Sequence, residues 1–232
     1  EVILATSGTT TFDLNIDEII EEAYERCGVR TNSGYDLKSA RRSLNILFSE
    51  WGNRGVHLWK VELKEQLLTA GTSTYDAPSN ANDILEAYIS TTTGTSSTTN
   101  DVSLTKISRS EYAALPNKGS QGQPSQYYVD RQTTPTITLY QTPDASTYTY
   151  VKYYYLKRVE DAGAFTNQAD VVFRFIPCMV AGLAYYLSMK KNPQAMQAMK
   201  MVYEDELQRA LTEDGQRTSV YIAPQNYYPQ GA

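Results

Sequence analysis

Histidine and cysteine are nearly absent from this chain: its 232 residues include one histidine and two cysteines. A zinc site needs about four His, Cys or acidic ligands at short spacings, and Cys27, His57 and Cys178 lie far apart. The sequence therefore excludes a metal site built from soft ligands, and it predicts no cofactor. Both cysteines fall within apolar helical patterns, which favours buried reduced thiols over a disulfide.

Catalytic motifs are also missing. His57 stands in "GVHLW" at a predicted helix-to-strand turn, with no Ser or Cys in a nucleophile-elbow context, so a structural role is favoured. The stretch "GSQGQP" lacks the lysine and the following helix of a phosphate-binding loop. The sequence predicts that the chain is not an enzyme.

One alternative stays open, because the acids of a glycosidase come together from distant positions. Asp130 beside Tyr127 and Tyr128 is the best local candidate for a carbohydrate site. Such a chain would be a carbohydrate-binding or glycan-hydrolysing protein. Packing in a core or an interface explains these tyrosines more simply.

Basic charge and long apolar runs are lacking too. The chain has 21 Lys and Arg against 26 Asp and Glu, a net charge of −5, and the basic residues form no stripe for nucleic acid. No apolar run reaches the roughly 18 residues of a membrane helix, and "EVILATSGTTTF" has no signal-peptide pattern. A soluble intracellular product without a membrane partner is expected.

Helical periodicity is present at both ends of the chain. Apolar residues at helical spacing predict a first helix from Asn15 to Gly28 and a second from Asp36 to Trp51, which Gly52 ends. Near the other end, Pro177 begins a mostly apolar helix that should be central to the core, and another helix starts at Asn192 and Pro193. Past Gly215 the tail, rich in Tyr and Pro, indicates an arm that docks on a partner.

Alternating patterns between these ends predict strands. They begin at Trp59 to Lys64, return at Tyr75 after an Ala70-Gly71 turn, and continue at 84–90 and 102–107. Between the last two lies the Ser/Thr-rich stretch "STTTGTSSTTN", a predicted hairpin tip, and a short helix capped by Ser108 precedes the loop "NKGSQGQP". Three further strands, 127–131, 136–141 and 148–158, are predicted to form an antiparallel meander. The expected fold class is α+β, with a helical bundle packed on a central antiparallel sheet or sandwich and an extended C-terminal arm.

The last of these strands carries tyrosines on both faces. A sheet with one face in water would alternate apolar with polar residues, so the second face should be covered by another sheet or another subunit. Tyrosine suits an interface between separately folded subunits because it combines a large contact area with a polar hydroxyl. The candidate subunit-contact residues are Tyr148, Tyr150, Tyr153, Tyr154 and Tyr155.

Acidic residues crowd the first helix, and two interpretations are open. The favoured one is a solvated face, since acids are common near a helix start. The other is a channel lining that repels phosphates, so that DNA slides without sticking. Beside Asp13, the candidate channel-lining acids are Asp17, Glu18, Glu21, Glu22 and Glu25.

The order of five segments resembles the head-to-tail adaptor proteins of short-tailed bacteriophages, the head-completion or tail-tubular type, over nearly the whole chain. The segments are "IDEIIEEAYERCGV", "LKSARRSLNILFSEWGNRGVHLWKVE", "ISRSEYAALPNKGSQGQPSQYYVDRQ", "ITLYQTPD" and "DVVFRFIPCMVAGLAYYLSMKKNP". These are patterns of packing and turns rather than a catalytic motif. The resemblance therefore carries over no catalytic site.

The resemblance implies a virion structural protein, made in the host cytoplasm, that forms a dodecameric ring at the head–tail junction. Its partners would be other copies of itself, the portal protein, tail nozzle, tubular or fibre proteins, and double-stranded DNA in passage. It divides the chain into a helical bundle, residues 1–58 and 170–214, a β-rich part with long loops, 59–169, and the arm, 215–232. The hairpin tip and the "NKGSQGQP" loop would contact a neighbour or tail component. The candidate portal-contacting arm residues are Val220, Tyr221, Ile222, Tyr227 and Tyr228.

Overall fold

The computed structural model describes residues 8, 10, 12, 14–30, 33–54, 60–94 and 99–214. The candidate arm, His57, Trp59 and Asp13 lie outside the described residues. The helices are α1 (Ile16–Arg26), α2 (Gly34–Arg54), α3 (Arg109–Ala114), α4 (Ile176–Lys191) and α5 (Met196–Asp214). The strands are β1 (Val61–Leu67), β2 (Thr74–Asp76), β3 (Ala81–Ser90), β4 (Asp101–Ser103), β5 (Thr105–Ile107), β6 (Gln121–Gly122), β7 (Gln126–Asp130), β8 (Thr136–Tyr140), β9 (Thr142–Pro143) and β10 (Tyr150–Lys157). The predicted α+β fold class is confirmed.

Helix α4 is the centre of a helical core to which α1, α2 and α5 contribute. Its residues from Cys178 to Ala184 are all buried, as expected for a helix that is apolar on every side. Gly182 lies where α4 meets Leu47 of α2 and Tyr203 of α5. The lack of a side chain at Gly182 therefore sets how closely the three helices approach.

The helix ends agree with the sequence in part. Glu18 Oε2 accepts the Asn15 N–H at 2.8 Å, and Gly28 with φ 69° follows α1, as the sequence predicts. Helix α2, however, continues through Gly52 to Arg54, because Arg54 pairs with Glu50 one turn earlier and with Glu204 of α5. A tertiary contact therefore overrides the local stop signal.

Helix α5 begins at Met196, later than the Asn192-Pro193 signal predicts. The intervening residues form a turn in which Ala195 N–H bonds to Asn192 O. At its other end, the buried Asp214 carboxylate accepts Arg174 Nε at 3.0 Å. This pair holds the end of α5 against the short 3-10 helix Phe173–Phe175, which precedes α4.

Two four-stranded sheets pack around a second core. One has the order β1-β10-β3-β4 and is antiparallel, and the other has the order β2-β8-β7-β5. Strands β5 and β7 pair in parallel, and so do the two-residue strands β6 and β9. The shared core includes Ile84, Ala87, Ile89, Val151 and Tyr153 of the first sheet and Tyr127, Val129, Ile137 and Leu139 of the second.

The strand pairing corrects the predicted meander. Strands β7 and β8 do form an antiparallel pair, but β10 leaves them and lies between β1 and β3 in the other sheet. The predicted return strand at Tyr75 likewise pairs with β8 rather than β1. A strand that is apolar on both faces gains most from the centre of a sheet, and sequence spacing alone does not show which sheet provides that place.

The predicted strand at 102–107 is two strands. It breaks at Leu104, whose N–H bonds to Ala87 O at 2.9 Å while its side chain is buried. The residues before the break join the first sheet as β4, and those after it join the second as β5. The chain therefore crosses between the two sheets at Leu104.

The helical and β-rich parts meet at a polar junction. Lys60 pairs with Asp170, whose Oδ2 also accepts the Glu160 N–H at 3.1 Å. Asn45 of α2 accepts the Ala162 N–H at 2.7 Å. The two cores are separate clusters of buried side chains, while the predicted domain boundaries at residues 58 and 170 stay a prediction.

Candidate assembly surfaces

The tyrosine strand β10 has one face inside the sandwich. Tyr153 is 0% exposed and Tyr155 6% exposed, and the Tyr155 hydroxyl donates to Glu62 Oε2 at 2.8 Å. The predicted subunit contact is wrong for these two residues, because the second sheet of the same subunit covers them. The candidate contact narrows to Tyr148 and Tyr150, which are half-buried, and to Tyr154, which is 39% exposed.

Tyr154 belongs to an outer face of the first sheet that carries exposed apolar residues. Its partner across β1 is Leu63, and Leu67 lies further along the same strand with 59% exposure. Strand β1 is also an edge of the sheet. An apolar outer face beside a sheet edge is the kind of surface that a partner protein covers.

The hairpin tip after β3 folds over part of this face. Lys152 points outwards from β10 but is buried, because its Nζ bonds to Gly94 O at 2.6 Å and lies 3.3 Å from Asp101 Oδ1. Gly94 N–H donates to Glu65 Oε1 at 2.7 Å. The first half of the tip is therefore tied to its own sheet, and residues 95–98 lie outside the described residues.

Tyr153 makes a stability prediction possible. Its buried hydroxyl has no hydrogen-bond partner among the described residues, whereas the Tyr127 hydroxyl donates to Leu85 O at 3.0 Å. We expect Tyr153→Phe to raise the free energy of unfolding by up to about 1 kcal/mol, and Tyr127→Phe to lower it by about 1 kcal/mol. Urea unfolding of the two variants measures both changes. A clear loss of unfolding free energy in Tyr153→Phe would contradict the conclusion that the Tyr153 hydroxyl has no hydrogen-bond partner.

The same tyrosine should affect alkaline stability. Burial raises the pKa of Tyr153 from 10.0 to about 12. Because the folded-state pKa lies above the unfolded value, this contribution is complete below pH 10 and is lost as the pH rises towards 12. Tyr153→Phe should therefore make the decline of stability between these pH values shallower.

Helix α1 presents its carboxylates outwards. Glu18, Glu21, Glu22 and Glu25 are exposed and Asp17 is half-buried, while the buried side of the helix packs on the core. Glu22 pairs with Arg26 at 2.8 Å. This exposure suits a solvated face and a channel wall equally, so the channel assignment remains a proposal.

A groove of about 400 Å³ runs between α1 and α4. We call it the α1–α4 groove, and it is lined by Leu14, Glu18, Glu22, Arg26, Ile176, Pro177 and Val180. Its α4 side is apolar, and its α1 side carries the two glutamates and the arginine. The groove thus combines an apolar floor with a wall of two glutamates and one arginine, in which Glu22 pairs with Arg26 and Glu18 leaves a net negative charge.

Helix α2 presents a second surface that sequence reasoning missed. We call it the α2 ridge: Tyr35, Lys38, Arg42 and Ile46, all exposed and spaced for one face of a helix. Tyr35 is 68% exposed and Ile46 54% exposed, and the Arg42 guanidinium lies 5.9 Å from the centre of the Tyr35 ring. The signal was an aromatic and a β-branched residue on the polar side of an amphipathic helix.

The carbohydrate alternative centres on Asp130, and its surroundings are already engaged. Arg109 donates to Asp130 Oδ1 at 3.0 Å and to the Tyr128 hydroxyl at 2.9 Å. The Tyr128 ring stacks on Tyr112 at 5.6 Å, and Tyr127 is buried. A sugar-binding platform needs an exposed aromatic ring beside a free carboxylate. Here the Tyr128 ring stacks on Tyr112, and the Asp130 carboxylate is hydrogen-bonded to Arg109.

The loop "NKGSQGQP" is held against its own subunit. Lys118 Nζ donates to Ala113 O and Leu115 O, and Lys118 O accepts the Thr142 hydroxyl at 2.8 Å. Strand β6 within the loop pairs with β9. These hydrogen bonds fix the conformation of the loop within its own subunit. Its contact with a neighbour or a tail protein stays a prediction.

The cysteines are structural. Both are buried free thiols, and burial raises the pKa to about 11 for Cys27 and about 12 for Cys178. They stay protonated at neutral pH and make poor nucleophiles. Within the described ranges, no cluster of three or more His, Cys, Asp or Glu side chains could hold a metal ion, and no helix is long and apolar enough to cross a membrane.

Comparison with known protein families identifies the family of this chain. The profile of the SU10 adaptor protein family matches residues 36–227, well over half of the sequence. The chain belongs to this family of bacteriophage adaptor proteins, and SU10 is a short-tailed phage. The predicted resemblance to adaptors of short-tailed phages is confirmed, and the chain is a phage structural protein. No curated protein matches the chain.

Proposed function

We propose that this adaptor assembles as a ring between the portal and the tail, provides a channel for DNA and forms a platform on which the tail is built. The observation that carries the proposal is the match to the SU10 adaptor family over residues 36–227. A dodecamer is the stoichiometry that the resemblance implies. In the virion the ring would sit at the head–tail junction and pass double-stranded DNA without binding it tightly.

The surfaces of the subunit support a ring. Closed rings need heterologous contacts, in which one face of a subunit meets a different face of its neighbour. This subunit has at least three chemically distinct exposed faces: the acidic outer side of α1, the α2 ridge and the apolar outer face around Leu63, Leu67 and Tyr154. The net charge of −5 disfavours tight contact with the phosphates of passing DNA.

The parts of the subunit take different roles in this proposal. The helical bundle faces the portal, the β-rich part faces the tail, and the arm at 215–232 reaches towards the portal. The hairpin tip after β3 and the "NKGSQGQP" loop contact a neighbour or a tail protein. Asp17, Glu21 and Glu25, on one side of α1, would face the channel.

Assembly with the portal tests the proposal. The mass of the purified chain is measured by light scattering and its shape by electron microscopy, first alone and then mixed with portal rings of the same virus. We expect a ring, formed alone or on the portal, with a central opening wide enough for duplex DNA. A chain that stays monomeric in both conditions would contradict the proposal.

A truncated chain tests the arm within the same experiment. The variant lacking residues 219–232 should bind portal rings more weakly than the full chain. The full chain is the control, and the same oligomeric state and circular dichroism spectrum of the variant before mixing exclude a general folding defect. Unchanged affinity would remove the arm from the portal contact and leave the ring proposal intact.

The family of structural adaptors also agrees with the expectation that the chain is not an enzyme. The carbohydrate alternative has no observation in its favour, because Arg109, Gln132 and Tyr112 engage the Asp130 cluster.

A further inference from the structure

We propose that the α1–α4 groove of one subunit receives the α2 ridge of a neighbouring copy of this chain. This pairing is the repeating contact of the ring, and it therefore rests on the ring put forward above. It assigns the two faces that a heterologous contact requires.

The groove is built for an apolar and basic occupant. Ile176, Pro177 and Val180, from the first turns of α4, form its apolar side. Glu18 and Glu22 form the opposite wall with Arg26. Helix α1 as a whole carries five carboxylates and one arginine on its outward side, so the field around the groove is negative.

The ridge has the complementary chemistry. Tyr35 and Ile46 supply apolar ends, and Lys38 and Arg42 supply positive charge between them. Tyr and Arg are enriched among the residues that dominate binding energy in interfaces. Helical rise makes the ridge about 16 Å long and the wall from Glu18 to Arg26 about 12 Å long, so the ridge spans the whole wall and extends beyond it by about one turn or less.

The basic character extends behind the ridge. Arg41 donates to Gly163 O at 3.1 Å on one side, and Lys190 Nζ bonds to Ser43 Oγ at 2.7 Å on the other. Lys191 pairs with Asp36 near the start of α2. A positive helix start therefore faces a negative groove, and such complementarity steers association and fixes its register.

The geometry makes the contact intermolecular. On one flank of α1, the Tyr24 hydroxyl donates to Asp36 O of α2 at 3.1 Å. The groove opens on the other flank, where Glu18 and Glu22 face α4. Because α1 lies between its own ridge-bearing helix and the groove, a subunit cannot fill its own groove. A head-to-tail repeat of this contact can close into a ring.

The contact uses only one row of the α1 acids. Glu18 and Glu22 line the groove, whereas Glu21 and Glu25 lie on the adjoining row of the helix. The second row stays outside the contact, where it can face a channel. Substitution of Glu21 and Glu25 also provides a control, because these residues lie on the same helix, are exposed like Glu18 and Glu22, and undergo the same change in charge.

Charge reversal tests the pairing in the full-length chain. The wall variant is Glu18→Lys with Glu22→Lys, and the ridge variant is Lys38→Glu with Arg42→Glu. Each variant alone should need about tenfold or more protein to assemble, because like charges then face each other. An equimolar mixture should recover assembly, since each reversed wall meets a reversed ridge in an alternating ring. Assembly is measured by light scattering, alone and on portal rings.

Two further variants keep the test decisive. Glu22→Lys alone leaves the Glu18 cap of α1 intact and should still weaken assembly, with an unchanged circular dichroism spectrum. Glu21→Lys with Glu25→Lys should assemble like the wild type. If this control is as defective as the wall variant, the whole helix rather than the groove is responsible and the pairing is overturned.

The outcomes separate this inference from the ring itself. A wild-type ring with full assembly of both reversed variants would refute the pairing and leave the ring standing. Defective variants that fail to recover when mixed would also refute it. A wild-type chain that remains monomeric alone and on the portal would overturn both proposals.

Discussion

Replacing Trp51 with alanine should lower the free energy of unfolding by about 3–5 kcal/mol, the range for removing a buried aromatic side chain. Trp51 is 0% exposed and lies at the junction of α2, α5 and the residues that precede α4. Its ring centre is 5.8 Å from that of Phe48 and 5.7 Å from that of Phe175. The indole Nε1 donates to the Tyr203 hydroxyl at 3.1 Å.

The cost has two parts that a control separates. Trp51→Ala removes the ring contacts and leaves a cavity, whereas Trp51→Phe keeps most of the packing and loses mainly the hydrogen bond to Tyr203. We expect the phenylalanine variant to lose about 1–2 kcal/mol. Urea unfolding followed by circular dichroism measures both. A loss below 1 kcal/mol in Trp51→Ala would contradict the assignment of Trp51 to the centre of the helical core.

Gly182→Val should lower the free energy of unfolding by about 3 kcal/mol, because it overpacks the centre of the bundle. A Cβ atom at this position would lie 2.9 Å from Leu47 Cδ1 and Cδ2 and 2.9 Å from Tyr203 Cε2. Glycine within a helix usually costs about 1 kcal/mol relative to alanine. Here α2, α4 and α5 approach so closely that the steric clash outweighs the gain in helix propensity. The substitution is therefore expected to destabilise the fold.

Two comparisons make the Gly182 prediction specific. Gly119 has no heavy atom within 4 Å of an added Cβ, so Gly119→Val should change stability by less than about 0.5 kcal/mol. Leu47→Ala removes the methyl groups that a new side chain would meet. Combined with Gly182→Val, it should cost clearly less than the sum of the two single changes. Strict additivity in unfolding experiments would contradict the contact.

Local sequence patterns predicted the helices well, because capping residues, stop residues and apolar periodicity act on residues close in sequence. The capping pair Asn15 and Glu18, the stop at Gly28 and the apolar run after Pro177 all act within one or two turns of a helix. The end of α2 was predicted wrongly because a distant partner intervenes. Arg54 extends α2 past Gly52 by pairing with Glu204, and no residue near Gly52 in the sequence announces that contact.

Strand positions were also predicted, but their partners were not. The residue pattern around Tyr153 predicts a strand with two apolar faces. The pattern does not show which sheet contains this strand. The structure places β10 between β1 and β3, with its odd-numbered residues in the sandwich. Pairing between strands that are distant in sequence depends on how the whole chain packs, so Tyr153 and Tyr155 became core residues and Tyr154 alone stayed exposed.

The candidate surfaces show the same division. The acids of α1 were visible in the sequence as a cluster, because charge needs no fold to be counted. The α1–α4 groove was not visible, since it joins Glu22 to Val180 across more than half of the chain.

By itself, the sequence determined the fold class, the scarcity of histidine and cysteine and the resemblance to phage adaptors, because composition and local periodicity carry that information. The tertiary structure alone decided which tyrosines are buried, where β10 lies and which exposed faces differ in chemistry. The physical reason is that burial and complementarity arise between segments distant in the chain, and only packing brings those segments together.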